Sequence, residues 1–165
     1  MKLISIPSDK YDEYRIDLMF DCYKWDPQFE DHNTIAKHIL VLTKEEYEEL
    51  KKLTEDIDKE TRFAEEFLNK NIEYAKPLGL SSKKFYKDIQ NMGNYNPNKH
   101  IRLMRYDFHP TTNGWMVSEV NSDVPGGFAE ASFMPRVAKE TLKDNNAIIP
   151  TSFLVNYYAN NSWLF

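Results

Sequence analysis

A chain of 165 residues is long enough for one globular domain with its own core and short for two. Apolar residues make up 41% and charged residues 28%, a balance that excludes collagen-like and disordered chains. With 26 acidic against 21 basic residues the net charge is −5, which argues against nucleic acid or an anionic membrane surface as the main partner. The single cysteine, Cys22, allows neither an internal disulfide nor a cysteine-based zinc site, and it reads as a small buried hydrophobe. The longest apolar run, residues 39–42, is far short of the ~20 residues of a membrane span. The start MKLISIPSDKYDEYR has no apolar signal region, so a cytoplasmic location is expected.

In chain order, residues 12–25 carry Ile16, Leu18, Met19, Phe20 and Tyr23, a pattern that suits a short helix as well as a strand and is taken as a helix ended by Pro27. His32 and His38 have no helical metal spacing and read as surface residues. Thr43 followed by Glu46 forms a capping box ahead of residues 44–74. That stretch lacks Gly and Pro and repeats Tyr47, Leu50, Leu53, Ile57, Ala64, Phe67 and Leu68 at helical spacing. It predicts one long amphipathic helix, ended by Pro77 and Gly79, with a shorter helix after Ser81 through Phe85 and Ile89. Residues 128–141 predict another helix, kinked by Pro135, and the tail beyond has no clear period.

Between these lie IRLMRYDFH and WMVSEVNSD, separated by PTTNG, which predict a β-hairpin with strands over about 101–108 and 115–121. Alternation puts Ile101, Leu103, Arg105, Asp107 and His109 on one face of the first strand, and Trp115, Val117, Glu119 and Asn121 on one face of the second. Whether the two faces coincide depends on the turn. An even Asn113-Gly114 turn separates Asp107 from Glu119, whereas an odd-length loop sets Asp107 opposite Glu119 and Arg105 opposite Asn121. An odd loop is expected. The fold class expected is α+β: a short antiparallel sheet with this central hairpin, backed by helices, in a single domain over residues 1–165.

Two opposed carboxylates repel and call for a cation between them. Asp107, Glu119 and the Asn121 carbonyl are hard oxygen donors of the kind Mg²⁺ takes together with nucleotide phosphates, and the planar fork of Arg105 suits a carboxylate or phosphate. The plainer alternative is a structural ion-pair network in which Arg105 neutralises Asp107 and Glu119. Gly126 and Gly127 ahead of a helix suit either a phosphate cradle or a simple turn. Ser122 and Asp123 line such a pocket or shape the turn, and His109 lies at the strand end.

The segment RYDFHPTTNGWMVSEVNSDVPGG resembles the motif of glutathionylspermidine synthase and its circularly permuted ATP-grasp relatives, an R-x-D-F-H strand followed by a strand ending in E-x-N. The resemblance covers about residues 101–127. It implies an ATP-grasp-like fold and an ATP-dependent ligase in which a carboxylate is phosphorylated and an amine displaces the phosphate. Asp107, Glu119 and Asn121 then fall on magnesium positions, Arg105 on the arginine that meets the substrate carboxylate, and Ser122, Gly126 and Gly127 beside the nucleotide. Only a short stretch follows Asn121, without the family's adenine pocket, phosphate-binding lysines or glycine-rich lid. The resemblance therefore implies an N-terminal portion, with the remaining half or a partner chain supplying those parts. The second expectation is a non-catalytic binding or interaction module derived from such a ligase.

Overall fold

The computed structural model describes residues 1–22, 24, 26–80, 84, 87–88, 96–99, 101–122, 125–144 and 146–149. Short antiparallel two-stranded sheets and three α-helices place the described chain in the α+β class. The chain divides into two compact units, one made of residues 1–43 with 125–165 and the other of residues 44–124. No helix among the described residues is long and apolar enough to cross a membrane.

In the first unit, β1 (Lys2–Ser5) pairs antiparallel with β4 (His38–Val41), with Ile4 opposite Ile39 and Leu3 opposite Leu40. The pleat turns Ile39 towards the core and leaves Leu3 and Leu40 in solvent. A minimal pair, β2 (Gln28–Phe29) and β3 (His32–Asn33), sits between them in sequence. The helix expected over residues 12–25 forms as α1 (Tyr11–Phe20) but ends at Phe20, five residues early, with Asp12 and Glu13 favourably placed at the positive end of its dipole.

Tyr11, Tyr14 and Leu18 recur at helical spacing and are buried with Ile6, Cys22 and Ile35 against Val137 and Ala138 of α3 (Phe128–Leu142). Buried Tyr11 keeps its hydroxyl satisfied by donating to the Ile35 carbonyl at 2.6 Å. Pro135 lies inside α3, where it has no N–H to offer the preceding turn. The helix closes with Lys143 in the left-handed region and the Asp144 amide bonded back to the Lys139 carbonyl. Lys24 bridges Asp26 and Glu130, tying the loop after α1 to the first turn of α3.

In the second unit, α2 (Lys44–Lys70) runs 27 residues, about 40 Å at 1.5 Å per residue. It stops short of the expected residue 74. Asn71 leaves helical geometry, its side-chain amide donates to the Phe67 carbonyl at 2.8 Å, and the chain tightens into a 3-10 turn over Ile72–Ala75. None of the residues of α2 is fully buried, and Phe63, Phe67 and Tyr74 form an aromatic row along its C-terminal end. Of the shorter helix expected after Ser81, residues 84 and 87–88 are described and helical, while Ser81, Phe85 and Ile89 lie outside the described residues, as does the tail from residue 150. After a 3-10 turn at Pro97–Lys99 the unit ends in the hairpin of β5 (Arg105–Thr111) and β6 (Gly114–Asn121).

Candidate functional site

The hairpin forms, but its first strand begins at Arg105, not near residue 101: Ile101 and Leu103 lie outside the strand and are 89% and 48% exposed. Its turn is also not the expected one. Thr111 pairs with Gly114 across an even loop of Thr112 and Asn113, so the odd-length loop is overturned. The Thr111 side chain accounts for this. Its hydroxyl donates to the Gly114 carbonyl at 2.7 Å and accepts the Asn113 amide at 3.1 Å, closing the turn one residue before an Asn113-Gly114 turn would. Gly114, at φ +95°, takes a backbone conformation that other residues resist.

An even loop with a regular ladder would have set Asp107 opposite Ser118. It does not, because the register slips between Asp107 and Phe108. Phe108 pairs with Val117, Asp107 pairs with Glu119, and Ser118 is left without a partner as a β-bulge. The bulge restores the parity that the loop removed, so Asp107 faces Glu119 and Arg105 faces Asn121 as expected. It also corrects one expectation: Trp115 and Val117 pair with Pro110 and Phe108, on the opposite face from Glu119 and Asn121. His109 pairs with Met116, so the polar cluster stops at the bulge on the β6 side.

Within the cluster, Arg105 donates to Asp107 twice, Nε to Oδ1 at 2.8 Å and a terminal nitrogen to Oδ2 at 3.0 Å. The two side chains stand on one face two residues apart, where a planar guanidinium can engage both carboxylate oxygens. Hydrogen bonding from Arg105, with its positive charge, holds the Asp107 carboxyl below the usual aspartate range, against a smaller effect of burial. Across the ladder, Asn121 donates its amide to Glu119 Oε1 at 2.9 Å. Each of the opposed carboxylates thus has its own donor.

Asp107, Glu119 and the Asn121 carbonyl form a hard-oxygen donor set whose chemistry suits a magnesium ion that keeps several waters. A carboxylate engaged by an arginine fork still has lone pairs to give. Among the described residues no group of three or more His, Cys, Asp and Glu side chains is gathered to hold a metal. Ser122 follows β6 directly and is exposed. Gly126 and Gly127 belong to the first unit. Gly127 adopts φ +89° as the residue before α3, and its carbonyl accepts the Ala131 amide, which is the helix-entry role. His32 and His38 are exposed, the latter 3.1 Å from the Ser5 hydroxyl, and Cys22 is fully buried as expected.

Two features went unread in the sequence: Ser118 as the bulge, and Arg102, which reaches α2. Arg102 donates to Asp58 at 2.9 Å and to Glu65 at 3.2 Å. Asp58 and Glu65 lie seven residues apart on one helix face, the spacing that would have pointed to a shared cation. Compared with protein-family models, curated proteins and solved structures, the chain shows no match to any of the three.

Proposed function

We propose that this chain carries the metal-binding and carboxylate-binding side of an ATP- and Mg²⁺-dependent carboxylate–amine ligase of the circularly permuted ATP-grasp type, acting in the cytoplasm. The observation that carries the reading is the register that brings Arg105, Asp107, Glu119 and Asn121 together at the open end of the hairpin, the residues on which the R-x-D-F-H and E-x-N resemblance rests. Mg²⁺ held by Asp107, Glu119 and Asn121 would neutralise charge on the transferring phosphoryl group. Arg105 would exchange its fork from Asp107 to the carboxylate of a small molecule or peptide, orienting one oxygen for phosphorylation before an amine displaces the phosphate. The adenine pocket and lid would come from a C-terminal half or partner chain. Ser122, which follows β6 directly, is the proposed nucleotide contact of this unit.

Calorimetric titration of the full chain with ATP, with and without Mg²⁺, tests this. Magnesium-dependent binding abolished in Asp107→Asn supports the reading. A folded chain that binds no nucleotide favours the second reading, a non-catalytic interaction module. The closed Arg105–Asp107 fork favours that second reading, since it satisfies both groups without a ligand.

A further inference from the structure

The three pairs that bring the polar cluster together, Arg105 with Asn121, Tyr106 with Val120 and Asp107 with Glu119, form a short ladder at the open end of the hairpin. The bulge at Ser118 separates it from the ladder next to the turn, so the closure of the turn does little to hold it. Two-stranded hairpins are marginal in water and fray from the open end. Some other contact must therefore hold this end in register.

Of the residues leading into β5, Ile101 is 89% and Leu103 48% exposed, so neither is a buried anchor. Arg102 between them is 12% exposed, and its guanidinium spans Asp58 and Glu65 on α2, while Arg62 donates to the same Asp58 at 2.7 Å. Among the described residues its Nε is buried without a hydrogen-bond partner, a cost accepted for the two-carboxylate grip. We propose that Arg102 is a positioning residue: its clamp on Asp58 and Glu65 fixes the chain three residues before Arg105 and so holds the open-end ladder in register. Its relevance to catalysis rests on the ligase reading, but the clamp itself can be tested without ligand.

The test is amide hydrogen exchange of the full chain, free of metal and nucleotide, in wild type, Arg102→Gln and Arg102→Lys. Arg102→Gln should speed exchange at residues 105–107 and 119–121 about tenfold or more, the factor expected for loss of one charge-assisted hydrogen bond. His109, Thr111 and residues 114–116 beyond the bulge should keep wild-type rates. Arg102→Lys should recover part of the effect, because an ammonium keeps the charge but cannot grip both carboxylates with one planar fork. If Arg102→Gln folds poorly, Glu65→Gln removes half of the clamp and should give a smaller effect at the same residues. Unchanged rates, or acceleration spread evenly over both ladders and α2, overturn the proposal, the latter showing a merely structural contact. A following Mg²⁺ titration separates the two readings. A wild-type chain that ignores Mg²⁺ sinks the ligase reading and leaves the clamp standing on the exchange data.

Discussion

Ser118 donates its hydroxyl to the Asp107 carbonyl at 3.2 Å, from the position in β6 that has no partner across the ladder. Because Ser118 is bulged out of the ladder, Asp107 aligns with Glu119 despite an even turn. Deleting Ser118 removes the bulge but leaves a regular ladder, in which the shortened strand still sets the glutamate opposite Asp107. Nuclear Overhauser contacts between the two residues' backbone protons should therefore survive the deletion. Their loss would show that the bulge does more than correct parity.

Asp107→Asn would be stabilising if repulsion from Glu119 dominated at Asp107. The Arg105 fork reverses that expectation, because the substitution removes a charge-assisted bidentate contact. Both side chains are partly exposed, so the loss is modest, about 1–2 °C in melting temperature. Glu119→Gln removes the opposed charge without touching the fork and should leave stability level or slightly higher. Melting both variants without metal decides the matter, and a gain in Asp107→Asn would show that the fork contributes nothing.

The polar hairpin was legible because R-x-D and E-x-N each place two polar groups on one strand face. Its exact pairing was not, since it depends on two side chain to backbone bonds, from Thr111 and from Ser118, that a period-two pattern does not contain. The long helix was legible from its repeat, but its end was not, because Asn71 capping Phe67 competes with a helical pattern that continues to Tyr74. In the first forty residues, β1 finds its partner β4 more than thirty residues away, and strands of two to four residues are too short to show alternation. Even α1 was read partly from the wrong residues: its buried face is Tyr11, Tyr14 and Leu18, whereas Ile16 and Phe20, on which the helical pattern also rested, are exposed.

Leu18 is completely buried between α1 and α3, beside Cys22. Leu18→Ala should cost about 2–5 kcal/mol through lost apolar burial and the cavity left behind. Burial pushes the Cys22 thiol above its ordinary pKa, with Arg136 opposing in part, so the native thiol should react slowly with a disulfide reagent. Labelling should accelerate in Leu18→Ala in proportion to the opened population. Fast labelling of the wild-type chain would contradict the burial.

Asp58 should make the second unit acid-sensitive. Burial, the largest single influence, raises its pKa, but hydrogen bonds from Arg62 and Arg102 and their charges together bring it below the ordinary aspartate value of about 3.9. A carboxylate depressed in the folded state contributes stability that is present above its unfolded pKa and lost as pH falls through its folded one. Thermal melts of the full chain should therefore hold level from neutral pH down to the unfolded aspartate value and then decline. Asp58→Asn should start lower and decline less. In Arg102→Gln one of the two donors is gone and the folded pKa is less depressed, so the decline should begin at the same unfolded aspartate value but be smaller and end at higher pH than in wild type. Parallel curves for all three chains would mean that the Asp58 carboxylate is no better solvated by its arginines than by water.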